Sequence, residues 1–76
     1  MSAAISFYKF MIDNYIKDDS PIGDLACDMK SDKDFPRRSI SYTTIYYYLI
    51  RKNASYECLD AFDEAWKEYK AWRDQF

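Results

Sequence analysis

The side chains that could do chemistry are carboxylates, two thiols and a basic loop, because the 76 residues include no histidine. That absence removes the commonest general base, the usual activator of a nucleophile and the commonest metal ligand together. Carboxylates do fall in pairs, at Asp18/Asp19, Asp32/Asp34, Asp60/Glu64 and Asp63/Glu64. Acid–base work requires one member of a pair to be desolvated so that its pKa moves away from its neighbour's. The pairs after residue 55 lie among residues of polar spacing, which places them on a hydrated surface instead. The stretch SDKDF, 31–35, begins like a calcium loop but lacks the later glycine and glutamate that complete one, and it reads as a turn.

Cys27 and Cys58 are too far apart to form a CxxC unit, and two thiolates fall short of the three or four ligands of a zinc site. They are expected to be small buried hydrophobes in a reducing cytoplasm. A phosphate-cradling loop is excluded by glycine content, since Gly23 stands alone. No catalytic residue, cofactor, metal or small-molecule substrate is expected. Two non-catalytic surfaces are left. One is the basic run Lys30, Lys33, Arg37 and Arg38, which could be joined by Arg51 and Lys52 to meet phosphates, although Asp28, Asp32 and Asp34 interleave with it. The other is aromatic.

The elements that must position these groups are helical. Tyr8, Met11, Ile12 and Tyr15 repeat at i, i+3, i+4, i+7 and predict a first helix over 6–16 with that stripe inward. Ser20 then Pro21 form a helix start, and Ile22, Leu25, Ala26 and Met29 give the second helix its apolar face. Residues 31–40, SDKDFPRRSI, are polar apart from Phe35 and Ile40, and Pro36 biases Phe35 away from helical geometry. This segment is expected to be an extended connection, with Phe35 plugging the core. A third helix is expected from about Ser41 to Lys52, ended by a left-handed Asn53. A fourth, capped by Ser55, should run to the chain end. Cys58, Leu59, Phe62, Ala65, Trp66, Tyr69 and Trp72 fall on its inner face, and Phe76 extends it.

The third helix holds IYYYLI, three consecutive tyrosines inside an apolar run. At about 100° per residue, Tyr42, Ile45, Tyr48 and Leu49 share one face, assigned to the core. Thr43, Tyr46, Tyr47 and Ile50 share a second. The segment therefore has two greasy stripes, and a bundle interior requires only one of them. The Tyr46, Tyr47 and Ile50 stripe becomes the candidate docking surface, since tyrosine supplies large contact area at low entropic cost.

Composition sets the outer bounds. A chain this short forms one domain, residues 1–76, and about 60% burial on folding leaves little margin without large side chains. Eight Tyr, five Phe and two Trp supply them. One Gly and two Pro argue for long helices over many turns. A net charge of −2 lacks the basic excess of a general nucleic-acid binder. The start, MSAAISFYKFMI, has no basic region ahead of its apolar residues and does not read as a secretion signal, and no apolar run is long enough to span a membrane.

Three stretches in order carry a family resemblance: SFYKFM (6–11), DFPRRS (34–39) leading into IYYYL, and FDEAWKEYKAW (62–72). Together they resemble the YozE-type family of short bacterial proteins with a sterile-alpha-motif-like (SAM-like) fold. The resemblance implies an all-α bundle of four main helices with the 2–3 loop between them, a bacterial cytoplasmic location, and neither enzyme activity nor cofactor. Phe7, Tyr8, Phe35, Pro36, Tyr48, Phe62, Trp66 and Tyr69 match its motif positions as architectural residues. Aromatics at Tyr46 and Tyr47 are not part of that pattern, which favours an extra surface. The expected function is a protein-interaction module, binding a partner protein or itself through Tyr46, Tyr47 and Ile50. The alternative is nucleic-acid binding through Lys33, Arg37 and Arg38.

Overall fold

The computed structural model describes residues 5–75, so the expectation for Phe76 and the first four residues of the opening segment fall outside the described residues. Four helices follow in order: α1 (Phe7–Tyr15), α2 (Pro21–Ser31), α3 (Tyr42–Arg51) and α4 (Tyr56–Arg73). Each begins on a serine whose hydroxyl accepts a backbone N–H one turn in: Ser6 from Lys9, Ser20 from Gly23, Ser41 from Thr44 and Ser55 from Cys58. Those bonds satisfy donors that a helix start otherwise leaves unpaired. Among the described residues no strand is present.

α4 is the longest element, 18 residues, and the other three pack on it, while α1 also lies against α2. The core is aromatic. Phe7 and Phe62 meet edge to face at 5.4 Å, and Phe7 meets Tyr69 in the same geometry at 5.5 Å. Such pairs add roughly 0.5–1.5 kcal/mol beyond area burial, a useful increment for so small an interior. Tyr69 is fully buried, and its hydroxyl donates 2.5 Å to the Ile5 carbonyl, 64 positions away.

Three expectations are corrected. The inward stripe of α1 is Phe7, Phe10 and Met11, while Tyr8, Ile12 and Tyr15 are only half-buried. Both sets have helical spacing, and contact with α2 on one side and α4 on the other turns the helix by about one residue. Cys27 is exposed, its thiol directed at the Ile16 carbonyl at 3.6 Å, and Cys58 is half-buried. Among the described residues α4 ends at Arg73, where Asp74 and Gln75 form a terminal turn.

The α2–α3 connection is helix-free, and its path is held by two successive turns, Phe35 N–H to Asp32 carbonyl and Ser39 N–H to Pro36 carbonyl. Phe35 is 4% exposed, wedged edge-on to Tyr48 at 5.6 Å. The Ser39 carbonyl accepts the Phe7 N–H at 3.3 Å, so the loop also closes the start of α1. Gly23, buried where α2 begins, permits a close approach of the chain: an added Cβ would lie 1.8 Å from the Asp18 carbonyl oxygen.

Candidate functional site

α3 is fixed at both ends before its side chains matter. Ser41 caps the start. At the other end Asn53 adopts φ 60°, its N–H donates to the Ile50 carbonyl, and the Ala54 N–H reaches back to Leu49. This is the Schellman arrangement, with asparagine in the position glycine usually holds. The helix between is thereby set in rotation as well as length.

That rotation divides the tyrosines. Ile45 and Leu49 are buried. Tyr42 and Tyr48, on the same side, are half-buried, with each ring packed inward and each hydroxyl bonded at the rim. Tyr42 donates to Asp63 at 2.6 Å, and Tyr48 donates to Asp32. The bond to the Asp63 carboxylate is the main cause that pushes the Tyr42 phenol up to about 12, with desolvation adding to it. For Tyr48 burial leads and the Asp32 carboxylate follows, again raising the phenol to about 12. The same Tyr48 bond draws the Asp32 carboxyl below its usual value.

On the opposite side Tyr47 is 60% exposed and Ile50 41% exposed. Tyr46 is half-buried between these and the core. The rings form a continuous ladder. Tyr42 stacks on buried Phe62 at 5.1 Å, Tyr46 stacks on Tyr42 at 5.7 Å, and Tyr47 meets the edge of Tyr46 at 5.7 Å. A side chain so backed has little rotamer freedom left to lose when something covers it.

The basic loop is differently disposed. Lys33, Arg37 and Arg38 are all exposed by area. The Arg37 guanidinium, however, donates to the Lys30 carbonyl at 3.1 Å and lies 4.8 Å from the centre of the Tyr8 ring. It closes the end of α2 and covers α1. Lys52 likewise sits 5.8 Å from the Tyr48 ring centre. The cations counted as a phosphate-binding set therefore include two engaged with the fold itself. Sequence reasoning missed this, since an Arg-Arg pair in a polar loop carries no sign of which arginine turns inward.

Among the described residues no group of three or more potential ligands gathers to hold a metal ion. Burial, helped by the Asp28 charge, pushes the Cys58 thiol up, which disfavours its nucleophilic form.

The family model for the YozE SAM-like fold matches residues 6–71, from the cap of α1 to the last turns of α4. The chain belongs to that family. Its description names a fold and no reaction, and the matched span contains the buried Phe7, Phe62 and Tyr69 of the helices and Phe35 of the α2–α3 loop. No curated protein and no solved structure matches this YozE-type chain. Among its described residues no helix is long and apolar enough to cross a membrane.

Proposed function

We propose that this YozE-type domain is a non-catalytic protein-interaction module whose docking face is the Tyr46, Tyr47 and Ile50 stripe of α3. The observation that carries the reading is the ring ladder from Phe62 to Tyr47, which presents an exposed aromatic on a rigid support. Interfaces are enriched in tyrosine because it brings contact area without many rotors. Fold maintenance alone needs Ile45 and Leu49, and it leaves Tyr47 and Ile50 with no interior to fill. No observation favours the nucleic-acid alternative, because Arg37 is turned toward Lys30 and Tyr8.

The test is affinity capture from native extract with nuclease treatment, comparing the parent chain with a Tyr47→Asp, Ile50→Asp double variant. A specific protein partner should survive nuclease and disappear with the variant. The variant's unfolding free energy should stay within about 0.5 kcal/mol per site, as for other surface substitutions. A large loss of stability would show that the stripe supports the fold, and capture abolished by nuclease would show that nucleic acid was the partner.

A further inference from the structure

A second surface, apart from the Tyr47 and Ile50 stripe, lies along the crossing of α2 and α4, with Tyr48 and Leu49 of α3 at one end. Asp24 and Asp28 stand one turn apart on α2, and Asp32 follows at its end. Glu57, Asp60 and Glu64 stand at i, i+3 and i+7 on α4, hence on one face. These residues border three hollows of about 170, 210 and 500 Å³. The first two share Leu25, Asp28 and Cys58, and the second and third share Pro21 and Glu57, so they form one groove. Its floor opens on the half-buried Ile22 and Cys58, backed by the buried Leu25, Met29 and Ala61.

Of the groove carboxylates only Glu64 has an ion pair among the described residues, with Lys67 at 3.7 Å and both side chains well exposed. Lys52 lines the first hollow, where its charge and that of Arg37 act on Asp32. Asp24 and Glu57 lie in or next to the first turns of their helices, where negative charge is favourable. Asp28, Asp60 and Glu64 lie beyond that influence. Like charges one turn apart, as in Asp24/Asp28 and Asp60/Glu64, oppose the helices that carry them. Asp28, Asp60 and Glu64 thus bring their helices no gain, and a polyanion would be repelled by them.

We propose that the α2–α4 groove docks a cationic amphipathic helix of a partner protein, with apolar side chains seated on the floor and Lys or Arg flanks between the two acidic rows. Charge complementarity selects this occupant, and a groove between two helices suits a third laid along it. The 11 residues of α2 give a trough of about 16 Å, or three turns of such a helix. A second copy of this chain offers less: its exposed α3 stripe ends in Arg51 and Lys52 alone, and Lys52 covers Tyr48.

The experiment titrates the chain into a fluorescent synthetic peptide of about 18 residues, with Leu at helical three–four spacing and Lys elsewhere. A scrambled peptide of the same composition serves as control. The amphipathic peptide should bind at least about tenfold tighter than the scrambled one, and Asp28→Lys with Asp60→Lys should weaken it at least about tenfold. Asp28→Asn with Asp60→Asn should give an intermediate loss, while Tyr47→Asp with Ile50→Asp should change nothing, which separates this surface from the α3 stripe. Thermal melts confirm that each variant is folded. Equal affinity for the scrambled peptide, indifference to charge reversal, or no binding at low salt would overturn the proposal. So would self-association of the chain, seen by sedimentation, that the charge reversals abolish, since the occupant would then be a second copy.

Discussion

At the scale of single residues, Tyr42 and Tyr48 make the stability of this domain depend on alkali. Each phenol is raised from 10.0 to about 12 in the folded state. A raised folded value means that the native state holds the proton more tightly than the unfolded chain does. The contribution is therefore complete below pH 10 and is lost as pH climbs toward 12. Thermal melts across that window should show a falling midpoint, and Tyr42→Phe with Tyr48→Phe should flatten the fall. A second residue-scale prediction concerns Gly23. Alanine there would gain up to about 1 kcal/mol of helix propensity. It would also drive a methyl group against the Asp18 carbonyl, a backbone atom that cannot swing aside. Overpacking costs about 1–3 kcal/mol, and against backbone it falls in the upper part of that range, so a net loss of about 1–2 kcal/mol is expected from urea denaturation.

At the scale of elements, Arg37 joins three of them. Its guanidinium closes the α2 end through the Lys30 carbonyl, rests on Tyr8 of α1, and belongs to the loop that precedes α3. Arg37→Ala should cost about 1–2 kcal/mol, the sum of a modest hydrogen bond and a cation–π contact. Arg37→Lys should recover little, because an ammonium lacks the flat face and the forked donors. Denaturant unfolding with an unchanged slope would check both. The helices themselves were legible because their signals are local: Ser20 before Pro21, Ser55 before an amphipathic run, and Asn53 at a left-handed stop. On α3 angular spacing separated buried Ile45 and Leu49 from exposed Tyr47 and Ile50, but not Tyr46, which is half-buried against the core like Tyr42 and Tyr48. The face of α1 was not legible. In FYKFMIDNY the apolar residues form two overlapping stripes, and only the positions of α2 and α4 choose between them. Arg37 and the acidic groove escaped for the same reason, since each is assembled from elements distant in sequence.

At the scale of the whole molecule, chemistry is distributed by side: an aromatic stripe on α3, a cationic loop tied to its own backbone, and carboxylates bordering the α2–α4 groove. What holds these sides in register is a core of rings with α4 through its middle, and the bond from the Tyr69 hydroxyl to the Ile5 carbonyl fastens the opening of the chain to that core. Trimming residues 1–5 would remove no buried apolar side chain that the structure describes. It would still remove the carbonyl that accepts the hydroxyl of the buried Tyr69. A buried donor left in that state costs about 1–3 kcal/mol, so the shortened chain should melt earlier than its side-chain losses explain. Tyr69→Phe should cancel much of the difference between the full and shortened forms. A single backbone carbonyl at an exposed residue thus acts as the fastening of a buried ring.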